Sequence, residues 1–150
     1  MKCKALILVG TFLVSSLAAS AGAPRGNQRK LVDQWFRCLH TLQEMRAIQT
    51  AIEAYGVDHP TFPIAKTMEE LRALVQPGYI ATSPMTDDWG TPLRYVVSPN
   101  GASYRLISAG SDQVFEDKTW SLAAFLSDSS SDAVLTSEGW AADREWVIQE

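Results

Sequence analysis

From residue 31 the large apolar side chains recur in steps of three and four, as Leu31, Trp35, Leu39, Leu42, Met45, Ile48, Ile52 and Tyr55. That spacing predicts one long amphipathic helix, beginning near Arg29 and ending before Pro60. The stripe, Trp35 included, reads as a core face, and Gln49 as an outward position. Gly56 weakens the last turn. Thr67-Met68-Glu69-Glu70 has the spacing of a capping box, in which a hydroxyl bonds an amide three residues on and the glutamate reaches back. A short helix follows, with Leu71, Leu74 and Val75 inward, and stops at Pro77-Gly78. Beyond it the pattern changes to strands. Residues 93–98 and 103–108 predict a hairpin around Pro99-Asn100-Gly101, and residues 132–136 predict a third strand that enters a turn at Ser137-Glu138-Gly139-Trp140.

The N-terminus reads differently. A short basic stretch (Lys2, Lys4), an apolar run over residues 5–14 and the small residues Ala19-Ser20-Ala21 are the features of a secretory signal over residues 1–21. Cleavage there leaves residues 22–150, a length suited to one domain with one core. The expected location is periplasmic or secreted; the alternative is an inner-membrane anchor made by an uncleaved signal. No later apolar run approaches the ~20 residues of a spanning helix. Cys3 falls in the signal and leaves Cys38 alone, so a mature monomer has no internal disulfide.

Two segments carry most of the remaining information. Asp87-Asp88-Trp89-Gly90-Thr91-Pro92-Leu93-Arg94-Tyr95 places a tight turn before the first strand, and Tyr104-Arg105-Leu106-Ile107-Ser108-Ala109-Gly110-Ser111-Asp112 ends the second strand in a Ser-x-Gly-x-Asp loop. With the helix around Glu44 to Tyr55, the Tyr-x-x-Asp of Tyr55 and Asp58, and Phe62-Pro63, this order resembles the soluble domain of the type II secretion major pseudopilins, the G-type family. The resemblance spans about residues 40 to 140. It implies an α+β fold: a long N-terminal helix across a three-stranded antiparallel sheet, with an acidic loop. It also implies a non-enzymatic role beside the proteins of a secretion or type IV pilus-like apparatus. The Gly-Phe-Thr-Leu-x-Glu prepilin leader of that family is not in this sequence, so the expected form is a stand-alone periplasmic relative rather than an ordinary filament subunit.

Charge sharpens the picture of the loop. Residues 110–150 hold nine acidic and two basic residues, net −7, against +1 for residues 22–109. Such a balance argues against a nucleic-acid partner and for a cation. Calcium takes six to eight hard oxygens in a tolerant geometry, which carboxylates and carbonyls of a polar loop such as residues 127–132 supply. G-type pseudopilins bind calcium at the corresponding loop; carried over, the resemblance implies Ala109, through its carbonyl, and Asp112. Asp117, Asp128 and Asp132 are the further candidates, and Glu116 lies among them. The competing reading is a solvated loop that repels itself.

Other chemistry finds little support. Asp87 and Asp88 are adjacent and have a structural job in the turn. Cys38 and His40 face different sides of a helix and cannot chelate one metal alone. No nucleophile elbow, His-Glu-x-x-His or phosphate loop is present. Of the five tryptophans, Trp35 and Trp89 read as core, while Trp120, Trp140 and Trp146 in the C-terminal third offer a rival function: a secreted module that binds carbohydrate or protein through exposed indoles.

Overall fold

The structure is a computed structural model of the 150-residue chain and describes residues 25–116 and 121–141. The signal over residues 1–21 lies outside these residues, as do Asp117, Trp120 and Trp146.

The long helix, α1 (Arg25–Asp58), begins one turn earlier than the apolar spacing indicates. Besides Ala51, its most deeply buried positions are Cys38, Thr41, Met45, Ile48 and Ile52, each no more than 1% exposed. They recur in steps of three and four, which is the periodicity of one helical face. Gln49, expected to point outward, is 5% exposed and belongs to this face. It sits four residues after Met45, and its amide donates to the Thr136 carbonyl (3.1 Å) while its oxygen accepts from Arg46 (2.8 Å). A polar residue stays there because both ends of its amide are satisfied.

Trp35, expected in the core, is 47% exposed. The helix outruns the surface available to cover it. Thirty-four residues extend about 50 Å, whereas the longest strand has five residues and spans about 17 Å.

The second helix, α2 (Met68–Val75), starts as expected from the Thr67 hydroxyl, which accepts from the Glu70 amide. Glu70 reaches back to the Lys66 amide (2.7 Å). Met68, Leu71 and Val75 are its buried residues. Leu74, read as inward, is 40% exposed, because it lies three residues from Leu71 but only one from Val75 and turns off their shared face.

The sheet is an antiparallel meander of four strands: β1 (Arg94–Val97), β2 (Tyr104–Ser108), β3 (Ala133–Thr136) and β4 (Gly139–Trp140), in that spatial order. The hairpin turn closes with Gly101 at φ +65°, its amide donating to the Ser98 carbonyl (2.8 Å). The fourth strand goes beyond the three expected. It pairs only Leu135 with Trp140 and Thr136 with Gly139, a ladder too short to leave a periodic trace in sequence. One face of the sheet packs Tyr95, Leu106 and Leu135 against Met45, Ile48 and Ile52 of α1 and Leu71 of α2. A smaller cluster of Ile107, Val134 and Ala141, joined by Val96 and Phe115, forms on a separate side. Within the segment read as an irregular loop, α3 (Leu122–Ser127) places Phe125 in the main core at 0% exposure.

Candidate functional site

The Asp-Asp-Trp-Gly turn assigns opposite duties to neighbouring carboxylates. Asp87 is 4% exposed. One of its oxygens accepts from the Trp89 and Thr91 amides (3.1 and 2.9 Å), and the other from the Ser108 hydroxyl (2.8 Å). Ser108 in turn accepts from the Gly110 amide (3.2 Å). The turn therefore holds the end of β2 and the first residue of the acidic loop. Gly90 adopts φ +85°, and Trp89 stands edge-on to Phe125 at 6.1 Å between ring centroids. Both roles match the expectation for this segment.

The acidic loop opens with a 3₁₀ turn, Gly110–Asp112. Gly110 has φ +69°, and a Cβ there would run into the carbonyl oxygens of Ser129 and Ser131. Only glycine combines that dihedral with so close an approach. The Ser111 amide donates to the Ser129 carbonyl (2.6 Å), Ser129 donates to the Ser111 hydroxyl (3.1 Å), and Gln34 of α1 donates to Ser129 (2.6 Å). Within residues 127–132, read as a polar loop, Ser129 and Asp132 are both 0% exposed, whereas Ser127 is exposed.

The proposed calcium ligands fall into three groups. Ala109 is fully buried at the mouth of the loop. Asp112 is exposed and accepts from the Val114 amide (2.9 Å), while Asp128 accepts from the Ser130 amide and hydroxyl (3.2 and 2.7 Å). Asp132 is the most unusual. One of its oxygens accepts from the Glu116 amide (3.1 Å), and the other is buried without a hydrogen-bond partner. Burial, reinforced by the charges of Glu116 and Asp112, pushes its carboxyl up to about 7, against the opposing effects of the Glu116 amide and Arg94. A carboxylate so placed lacks compensation for its charge. Among the described residues, the carboxylates of Asp112, Glu116, Asp128 and Asp132 do not form a group with ligand atoms within 4.8 Å of one another.

A second cluster escaped the sequence reading. His40 and Glu44, one turn apart on α1, meet Asp88 of the turn: the His40 Nδ1 is 2.8 Å from an Asp88 oxygen and 3.8 Å from a Glu44 oxygen. The spacing of His40 and Glu44 was visible in the sequence; the arrival of Asp88 is tertiary. Trp140 lies half-buried against the core, and the Arg46 guanidinium covers its ring at 5.2 Å.

Comparison with known protein families matches residues 37–121 to the type II secretion system (T2SS) protein G family, more than half of the 150-residue chain. The chain belongs to the protein G family. Among solved structures it is similar to the major pseudopilin from the type 2 secretion system of enterohaemorrhagic Escherichia coli, at 25% identity and a TM-score of 0.41, over 63% of this chain and 90% of that one. No curated protein matches it significantly.

For a protein G family member the α+β architecture is the expected one, with the fourth strand as its departure from the three-stranded reading. The matched region covers α1 from Arg37, the hairpin and the opening of the acidic loop. Membership places the chain with the structural components of a secretion apparatus and gives the carbohydrate-binding alternative no support. No helix among the described residues is long and apolar enough to cross a membrane.

Proposed function

We propose that this protein is an exported, non-enzymatic, pseudopilin-like component that associates with a type II secretion or type IV pilus-like apparatus through the uncovered part of α1, and that its acidic loop takes up calcium. One observation carries the association: Leu31, Val32, Trp35, Phe36 and Leu39 remain between 37% and 59% exposed on a single helix. An apolar surface of this kind marks a protein contact. Cleavage of the signal after Ala21 would present residues 22–150 as one domain outside the inner membrane.

The buried, unpartnered Asp132 oxygen supports the calcium assignment. Asp132 and Asp112 would supply carboxylate oxygens and Ala109 a carbonyl; Asp117 and Asp128 remain candidates for the rest of the shell. Bound calcium would offset part of the net charge of −7 carried by residues 110–150 and tie the loop to the end of β2.

Complementation of a deletion strain tests the association. Wild-type protein recovered from the envelope should begin near Gly22 and cross-link to apparatus proteins, whereas Trp35→Glu/Phe36→Glu should fold and fail to cross-link. Intact Met1 in the membrane pellet would refute the cleaved form. For calcium, chelator-treated protein should melt at a higher temperature on adding the ion, with a gain in stability of RT ln(1 + [L]/Kd), ~2.7 kcal/mol at a hundredfold excess over Kd. Asp132→Ala should remove that response, and a melting temperature indifferent to millimolar calcium would rule out the loop site.

A further inference from the structure

We propose that His40, Glu44 and Asp88 form a divalent transition-metal site, of the zinc class, that fastens the Asp-Asp-Trp-Gly turn to α1. It is separate from the calcium loop. Three features carry it. First, the donor set is mixed. An imidazole nitrogen with two carboxylates suits zinc and its neighbours in the first transition row, whereas calcium and magnesium favour oxygen alone.

Second, the spacing suits a shared ion. The candidate ligand atoms of all three residues lie within 4.8 Å of one another, with 2.8 Å from His40 Nδ1 to Asp88 and 3.8 Å from His40 Nδ1 to Glu44. Ligands ~2.0–2.1 Å from a tetrahedral zinc sit ~3.3 Å apart, so small side-chain adjustments place all three around one ion.

Third, the backbone beneath the ligands is already in position. His40 and Glu44 occupy successive turns of one helix face. The Asp88 amide donates to the Thr41 hydroxyl (3.2 Å), and Arg37 donates to the Asp88 carbonyl (2.9 Å). Asp87, whose oxygens are taken by Trp89, Thr91 and Ser108, fixes the turn from inside. The ion would therefore meet a prepared site rather than order one.

Electrostatics agree with this geometry. Burial, together with the charges of Asp88 and Asp87, raises the Glu44 carboxyl above its ordinary value despite the attraction of His40. The hydrogen bond that His40 makes to Asp88, followed by the charges of Asp88 and Glu44, raises its pKa above the ordinary value. Zinc needs the neutral imidazole and the ionised carboxylates, so it competes with protons for these ligands and its binding should weaken as pH falls. The imidazole is 56% exposed in its side chain, which leaves an approach from solvent and a coordination position for water.

Zinc titrated into chelator-treated, full-length protein tests the site by calorimetry, with cobalt as a spectroscopic substitute. The expected result is one saturable site with proton release, and a cobalt visible band that disappears in His40→Gln. His40→Gln should weaken zinc by more than the ~10–100-fold that loss of a partner behind a ligand costs. Glu44→Gln and Asp88→Asn should each weaken it too, with melting temperatures in metal-free buffer close to wild type. His59→Gln, which removes the other histidine, and Asp112→Ala should bind as wild type does. Absence of saturable binding by the folded protein, or undiminished binding in His40→Gln, would overturn the proposal.

Discussion

Between Cys38 and Ile52, α1 buries Met45, Ile48 and Ile52 completely, whereas between Leu31 and Leu39 the same helix leaves Leu31, Val32, Trp35, Phe36 and Leu39 at least 37% exposed. The covered half is held by packing on the sheet and α2. The uncovered half is attached by polar tethers instead: Gln34 to Ser129, Arg37 to the Asp88 carbonyl and His40 to the Asp88 carboxylate. Apolar spacing is the same kind of signal in both halves. What differs is whether a strand lies opposite, and hence whether a side chain stabilises the fold or waits for a partner.

The largest expected effect breaks the covered half. Ile52→Asp places an unpaired charge where exposure is 0% and should cost about 4 kcal/mol or more, read from chemical denaturation. Ile48→Asp should behave similarly. A loss below about 1 kcal/mol would mean that α1 does not pack on the sheet.

The next effect arises where the tether from Gln34 meets the acidic loop. The Asp132 carboxyl is raised from 3.8 to about 7 in the folded protein, so the folded state binds the proton that the unfolded chain has released. Stability from this group is fully present below about pH 4, falls as pH rises toward 7 and then levels off, a change of up to about 4 kcal/mol in calcium-free buffer. Asp132→Asn should flatten that slope and stabilise the calcium-free protein at neutral pH. Thermal melts from pH 4 to 8 check it, and an unchanged slope in the variant would transfer the effect to another group.

Gln49→Ala sharpens the boundary of the covered face. The substitution leaves the Thr136 carbonyl without its side-chain donor and should cost about 1–3 kcal/mol, against little if the position faced solvent. The smallest effect belongs to the uncovered half: Phe36→Asp should alter stability by no more than about 0.5 kcal/mol. A larger loss in a dilute monomer would show that this half is covered after all.

The sequence made the covered half of α1, the cap at Thr67 and the hairpin legible, because each is written in local spacing or in a turn residue with one mechanism. Gln49 adds nothing to an apolar stripe, although its distance from Met45 puts it on the core face. Trp35 departs from its expected burial for a different reason: periodicity gives the direction of a side chain but not the presence of a neighbour. The mismatch between a long helix and short strands was the available warning. At the acidic loop, charge density drew attention to Asp112, Asp128 and Asp132 alike. It could not separate the exposed Asp112 from the buried Asp132, because that difference depends on Ser129 and Ser131 packing against Gly110. The meeting of His40 and Glu44 with Asp88 had no local signature.

Cys38 stands at the border between the two halves, and its thiol is wholly enclosed. Enclosure turns chemical reactivity into a clock. A thiol reagent in solution can modify Cys38 only during moments when α1 lifts from the body, so when reclosing outpaces modification the labelling rate measures the free energy of that opening. In an oxidising compartment, the same enclosure keeps the thiol from cross-linking copies of the chain.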